Sequence, residues 1–261
     1  MDILTQIINN TRLTIKKRQS EIPLAVMREM ANKATAGKKP YSFYKALNTG
    51  NVEIIAEVKK ASPSKGIICN EFDHLNIAHE YTQGGAAAIS VLTEEKYFLG
   101  NLTYLSEIAQ TASLPLLRKD FIIHEYQIYE AVVHSASAVL LIAAALETQQ
   151  LQLFLQLIHE LNMDALVEVH DRKELEKALT AEAKIIGVNN RDLKTFQTLL
   201  EKSLEMSEFI PNEKLKISES GIHTRADIIA LEKAGYNAVL IGETLMRQSD
   251  RTAFLKQLRG E

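Results

Sequence analysis

From Asn51 onward the chain alternates between two textures. Short β-branched or aliphatic runs give way to longer stretches whose apolar residues recur at three- and four-residue spacing. The runs are "VEIIAEV" from Val52, "AAISVL" from Ala87, "PLLR" from Pro115, "AVLLIA" from Ala138, "DALVEV" from Asp164, "KIIGV" from Lys184, "LKIS" from Leu215 and "NAVLI" from Asn237. Helical patterns such as "HEYQIYEAVVHSA", "TQQLQLFLQLIHELN", "RKELEKALT" and "TRADIIALEKAG" lie between them. Strands that alternate with helices imply βαβ units and a parallel sheet. The eight runs predict an α/β fold, a (β/α)8 TIM barrel over residues 51–261. The competitor is a doubly wound sheet, and its glycine-rich opening G-x-G-x-x-G is absent.

Residues 1–50 read as an N-terminal helical extension of the same single domain, 1–261. "DILTQIINNTRLTIKKRQS" and "PLAVMREMANKA" both carry apolar stripes, and Pro23 stands where a helix starts. The extension is expected to cover the bottom or side of the barrel; the alternative is that it helps to close the active end. No internal repeat beyond the βα period and no low-complexity segment interrupts the pattern.

Composition narrows the partners. With 46% hydrophobic and 24% charged residues, the chain has enough apolar material for a sizeable core. A net charge of −3 with no basic block argues against nucleic acid. Cys69 is the single cysteine, so no disulfide forms within the chain, and "MDILTQIINN" lacks the basic-then-apolar order of a signal peptide. The longest apolar run, "AVLLIAAAL" from Ala138, falls short of the roughly 20 residues that span a bilayer. A cytoplasmic protein with no membrane partner is expected.

Barrels collect their chemistry at the C-terminal ends of the strands. Glu57 and Lys59 end the first run, and Thr93, Glu94 and Phe98 follow the second. Arg118, Lys119, Asp120 and Phe121 end the third, and Glu168 stands in the fifth. "NNRD", "SESG" and "IGET" close the last three. Side chains at i and i+2 share a face. If Ile55 and Leu166 fill the interior, then Glu57, Lys59 and Glu168 stand above them in the mouth. Unpaired, such buried charges cost several kcal/mol each, so they pair with each other or with a charged ligand. A purely structural polar plug is the plainer reading, but it does not require lysines, carboxylates, an amide and an arginine converging from different strands.

Gly221 and Gly242, after the seventh and eighth runs, suggest a phosphate site built from backbone N–H groups, with Ser62 and Ser64 as further donors. No Walker-type loop is present. Metal is not expected: "HEYQIYE" fails H-E-x-x-H because Ile128 stands four places after His124. His170 shares the face of Glu168 and is expected at the rim. Cys69 has no histidine placed by a motif, and no G-x-S-x-G elbow occurs.

The segments "IIAEVKKASPSKG", "SVLTEEKYFLG", "LLRKDFIIHEYQIYEA", "ALVEVHD", "IGVNNRDLKTF", "ISESGI" and "VLIGETLM", in that order, resemble the indole-3-glycerol phosphate synthase family over nearly the whole chain. The resemblance implies a small phosphorylated substrate, 1-(o-carboxyphenylamino)-1-deoxyribulose 5-phosphate. It implies ring closure to indole-3-glycerol phosphate with loss of carbon dioxide and water, in tryptophan biosynthesis. No cofactor or metal is implied. Polarising a ketone, releasing a carboxylate and expelling a hydroxyl call for a cationic acid, one or more carboxylates and a phosphate anchor.

By motif position, Lys119 becomes the general acid for ring closure, its pKa expected to be lowered by nearby cations and partial burial. Lys59 binds anionic groups or acts as acid in the dehydration. Glu168 handles protons in the dehydration, and Glu57 partners it or holds the lysines. Asn189, Arg191, Glu219 and Ser220 position the substrate; Ser62, Gly221, Gly242 and the backbone of Glu243 hold the phosphate. Phe98 and Phe121 form an apolar floor for the anthranilate ring or else pack as ordinary core. Lys60 and Ala61 depart from some relatives only in auxiliary loop contacts. Two rivals remain: the related barrel phosphoribosylanthranilate isomerase, whose Cys/Asp pair is not matched here, and a catalytically silent phosphate-binding barrel. A monomer or weak homo-oligomer is expected.

Overall fold

A computed structural model of the chain describes residues 2–35, 40–192 and 197–261. The expected extension therefore includes residues outside the described ones (Met1 and 36–39), as does the end of "IGVNNRDLKTF", Leu193 to Phe196. Parallel strands close into an eight-membered barrel. They are β1 (Glu53–Val58), β2 (Ala88–Leu92), β3 (Leu116–Lys119), β4 (Ala138–Ile142), β5 (Asp164–Val169), β6 (Ile185–Asn189), β7 (Leu215–Glu219) and β8 (Ala238–Ile241). Each strand bonds its successor, and β1 pairs with both β2 and β8 to shut the ring.

Helices alternate with the strands, as the two-texture pattern predicts. In order they are α4 (His74–Gln83), α5 (Thr103–Thr111), α6 (Glu125–Val133), α7 (Thr148–Glu160), α8 (Arg172–Thr180), α9 (Glu201–Ser207) and α10 (Arg225–Lys233), with α11 (Glu243–Met246) and α12 (Arg251–Arg259) after β8. Several start on a side-chain cap that satisfies free N–H groups of the first turn. Asp73 caps α4, Asp171 caps α8, and Thr224 with Asp227 forms a reciprocal capping box on α10.

Both faces of every strand are covered, which is why the strand runs read as continuously apolar. Outward residues such as Ile54, Val91, Val139, Val167 and Val239 pack beneath the helices. Inward residues fill the barrel in layers that the strand register fixes. Ala88, Ala138, Ile185 and Ala238 come from the even strands, and Ile55, Leu117, Leu166 and Ile217 from the odd ones. Leu140 and Leu240 lie in the next even layer with Ser90 and Gly187. The layer above, again from odd strands, is Glu57, Lys119, Glu168 and Glu219.

The N-terminal extension divides among three places. α3 (Ser42–Leu47) seats Phe43 and Leu47, both fully buried, in the interior cluster at the bottom, and the Tyr44 N–H donates to Asp164 Oδ2 at 2.9 Å. α2 (Leu24–Thr35) packs along α6 on the side. α1 (Ile3–Glu21) is tied by Arg18 to Glu130 of α6 at 3.0 Å and to Glu95 after β2 at 2.7 Å. Its first two turns reach the open, C-terminal end of the barrel, where Ile3, Leu4 and Ile7 meet the central cavity. Bottom and side are thus the stations of α3 and α2, whereas α1 takes the position of the alternative reading.

The bottom plug has a measurable weight. Phe43→Ala is expected to cost about 3 to 5 kcal/mol, read as a lower urea midpoint, because the cavity it leaves is ringed by barrel residues. Leu13→Ala, at a position 70% exposed, is the control and is expected to shift stability by less than about 0.5 kcal/mol. Equal effects would mean that α3 is not part of the barrel core.

Candidate active site

The charged layer follows from strand alternation. Glu57 lies two residues beyond Ile55, Lys119 beyond Leu117, Glu168 beyond Leu166 and Glu219 beyond Ile217, so each charge stands on the apolar residue beneath it. Lys119 Nζ lies 3.1 Å from Glu168 Oε2 and 3.3 Å from Glu219 Oε2. Lys59, one residue past β1, pairs with Glu57 at 2.6 Å. The carboxylates are almost fully buried, and the two ammonium groups are only slightly more open.

Three carboxylates face two ammonium groups in this layer, and the pKa directions follow from that imbalance. Burial alone disfavours the ammonium of Lys119, but Glu168, Glu219 and Glu57 outweigh it and raise its pKa. The expected lowering of Lys119 is therefore corrected: its neighbours are anions, not cations, and they hold it charged. Burial also works against ionised Glu168, yet Lys119, His170 and hydrogen bonds from Lys119 and Asn189 hold its pKa below the usual carboxylate value. Glu219 goes the other way. Burial pushes it up to about 8; Lys119 opposes the shift, while Glu168 and Glu57 reinforce it. Neither Glu219 oxygen makes a hydrogen bond. Burial thus drives Glu219 toward its neutral form and offsets part of the surplus negative charge.

Above the layer lies a cavity of about 440 Å³. Every residue given a role by the family resemblance borders it: the charged layer, Lys59, Ser62, Phe98, Phe121, Asn189, Arg191, Ser220, Gly221, Gly242 and Glu243. Phe98 and Phe121 meet on one wall, with ring centroids 6.0 Å apart and planes at 38°. Glu94 carries Phe98 there by accepting backbone N–H bonds from Lys96, Tyr97 and Phe98, and does not itself border the cavity. Arg118 points outward, fully buried, onto Asp120 at 2.9 Å and Glu130 at 3.2 Å. Ser62 sits in a short antiparallel ribbon, Ala61–Ser62 against Gly66–Ile67, that brings the loop after β1 to the cavity.

Ser220 and Gly221 both adopt positive φ, 67° and 76°, and turn their backbone at the end of β7. Arg191 reaches Glu243 at 3.7 Å across this edge. Gly242 shows a second function. A Cβ there would collide with the Glu57 carboxylate and come within 2.8 Å of Lys59 Nζ, so the missing side chain makes room for that ion pair. Gly187 does the same for Glu219, whose carboxylate occupies the space of the absent Cβ.

Sequence reading passed over Gly187, although a glycine inside a strand signals a close approach by another group. Ile3, Leu4 and Ile7 were also missed, because an apolar helical stripe looks the same whether it faces a core or a ligand. His170 packs behind Glu168 rather than bordering the cavity. Among the described residues, no group of three or more His, Cys, Asp or Glu side chains is placed to hold a metal ion.

A family model described as indole-3-glycerol phosphate synthase matches residues 4–258. A protein of Ruminiclostridium cellulolyticum named indole-3-glycerol phosphate synthase is 45% identical over 258 residues, covering 99% of each chain. One of Sulfurimonas denitrificans with the same name is 48% identical over 258 residues and 98% of each. Among solved structures, thiamine phosphate pyrophosphorylase from Pyrococcus furiosus matches with a TM-score of 0.61 at 14% identity, over 82% of this chain and 96% of its own, a likeness of fold alone.

Glu219 offers a test that needs no ligand. Its pKa is raised on folding, so its contribution to stability is full below the ordinary carboxylate value of 4.5 and is lost as pH rises through about 8. Glu219→Gln removes that loss. Thermal melts are expected to show the variant gaining on the parent between pH 5 and pH 9, by a few degrees at the alkaline end. A gap that is the same at every pH would mean that Glu219 is ionised throughout.

Proposed function

We infer the roles of the cavity residues from one premise: the chain belongs to the indole-3-glycerol phosphate synthase family. It is a carboxy-lyase that closes the indole ring of 1-(o-carboxyphenylamino)-1-deoxyribulose 5-phosphate, releasing carbon dioxide and water, in tryptophan biosynthesis. What remains is to say which side chain does what.

The observation that carries the assignment is Lys119, held charged by two carboxylates on the floor of the cavity. Ring closure puts a proton on the ketone oxygen while the aromatic carbon attacks, and a lysine that stays protonated is ready to supply it. Glu168, kept ionised, takes a proton during the dehydration. Lys59 binds the substrate carboxylate, its pairing with Glu57 setting its position, and then helps the hydroxyl leave. Glu219, Asn189, Arg191 and Ser220 fix the sugar chain. Phe98 and Phe121 flank the aryl ring, consistent with their meeting on the cavity wall. The phosphate lies at Ser62 and at the backbone of Gly221, Gly242 and Glu243, supported by the positive-φ turn after β7.

The same reading takes the whole chain, 1–261, as one domain, a monomer or weak homo-oligomer in the cytoplasm. Supporting it are the net charge of −3, which suits neither nucleic acid nor an anionic membrane surface, and the absence among described residues of a helix long and apolar enough to cross a bilayer.

Supplying the carboxyphenylamino deoxyribulose phosphate is expected to produce indole fluorescence, easily seen because the chain has no tryptophan. Lys119→Ala is expected to lower kcat by about 10²- to 10⁴-fold with the fold intact by circular dichroism. Near-normal turnover would remove Lys119 from the mechanism.

Gly242→Ala separates two roles of that glycine. Because the added methyl collides with Glu57 and crowds Lys59, kcat is expected to fall together with a rise in KM. A change confined to KM would mean that Gly242 serves the phosphate alone.

A further inference from the structure

Among the described residues, His170 is a titratable side chain packed against the charged layer that no step above uses. It follows β5 directly and is largely buried, with 11% of its side chain exposed. Glu174, in the first turn of α8, receives two groups from it: the backbone N–H of His170 donates to Oε2 at 2.7 Å, and ring Nδ1 lies 3.1 Å from the same oxygen. An ionised carboxylate only accepts, so Nδ1 carries a proton. The other ring nitrogen, Nε2, is shut off from solvent, makes no hydrogen bond, and stands 3.4 Å from Glu168 Oε1. Glu168 Oε2, on the far side of that carboxylate, is the oxygen held by Lys119. A continuous chain of alternating charge thus runs Glu174, His170, Glu168, Lys119, from a partly open helix terminus to the cavity floor.

We propose that His170, anchored on Glu174, is a positioning residue that supports the charge of Glu168 and aims its carboxylate at the substrate. The proposal rests on the assignment of Glu168 to proton transfer. Lys119 cannot do this work alone, since it divides its charge between Glu168 and Glu219 and gives its own proton away in the reaction. During that interval, a carboxylate with 4% of its side chain exposed has His170 as its other cationic neighbour. The charges around the pair are consistent with this. Burial disfavours the imidazolium, but the hydrogen bond it donates to Glu174 and the charges of Glu168 and Glu174 exceed it and raise the pKa of His170; Lys202, on α9, opposes them. Glu168 in turn is faced by Lys119 from β3, Glu219 from β7 and the amide of Asn189 from β6.

The test is the pH dependence of kcat and KM for the parent, His170→Asn and Glu174→Gln, with Glu168→Gln as reference. Removing the imidazolium lets burial raise Glu168, so the acid limb of kcat in His170→Asn is expected to move to higher pH. At pH 6, kcat should fall about three- to tenfold, KM should stay within about twofold, and kcat should recover toward the parent value by pH 8.5. Glu174→Gln is expected to move the limb the same way by less. An unmoved acid limb, a uniform fall at every pH, or an effect on KM alone would overturn the proposal. If His170→Asn fails to fold, His170→Gln and Glu174→Gln carry the same comparison. Glu168→Gln is expected to be inactive throughout. Activity in that variant would overturn the role of Glu168 itself, whereas an inactive Glu168→Gln beside an unmoved His170→Asn limb would overturn only the proposal for His170.

Discussion

The structure depends on how one layer of a barrel carries charge. Beneath it the interior is filled by apolar side chains in register, and above it the cavity opens. At the boundary, Glu57, Lys119, Glu168 and Glu219 are forced inward by strand alternation, with Lys59 just past the end of β1. Water does not solvate carboxylates this deeply buried, so each has to find a cation or a proton. Lys119 serves Glu168 and Glu219, Lys59 serves Glu57, and burial drives Glu219, the most deeply buried of the three carboxyls, toward its neutral form.

Such a layer needs space as well as charge balance. Two glycines supply it, Gly187 behind Glu219 and Gly242 behind the Glu57–Lys59 pair. Their positions explain why a strand interior carries a residue that weakens strands. They also show that Gly242, read from the sequence as part of a phosphate cradle, has a prior duty within the charged layer. A backbone that approaches a phosphate closely and a backbone that leaves room for an ion pair make the same demand on sequence, and only coordinates tell them apart.

Much of this was legible in the sequence because period-two alternation is rigid. Once Ile55 and Leu166 are placed inside, Glu57 and Glu168 have no other direction to point, and the candidate residues fall around one cavity. The eight strands were legible because buried parallel strands are continuously apolar. What stayed hidden depends on distance across the barrel. The raised pKa of Lys119 comes from carboxylates on β5 and β7, remote in sequence. The three stations of the N-terminal extension were hidden for another reason. The apolar stripes that became α1 and α2 predict that each helix packs on something but not on what: Ile7 finds the mouth of the barrel and α2 its side, while the floor is closed by Phe43 of α3, a short helix outside both stripes.

That division bears on how a dry, charged floor is maintained. α3 fills the bottom with Phe43 and Leu47, which pack against the interior residues beneath the layer. α1 borders the mouth through Ile3, Leu4 and Ile7, as does the ribbon that carries Ser62. Arg18 ties α1 to Glu130, and Glu130 also holds Arg118, whose guanidinium grips Asp120 on the cavity wall. The helix at the mouth and the strand that bears Lys119 are therefore connected by one buried ion-pair network. A displacement of α1 would both wet the cavity and disturb the residues beside Lys119. The same extension thus protects the electrostatics from two ends: it raises the strength of each charge pair by excluding water, and it fixes β3 so that Lys119 stays between Glu168 and Glu219.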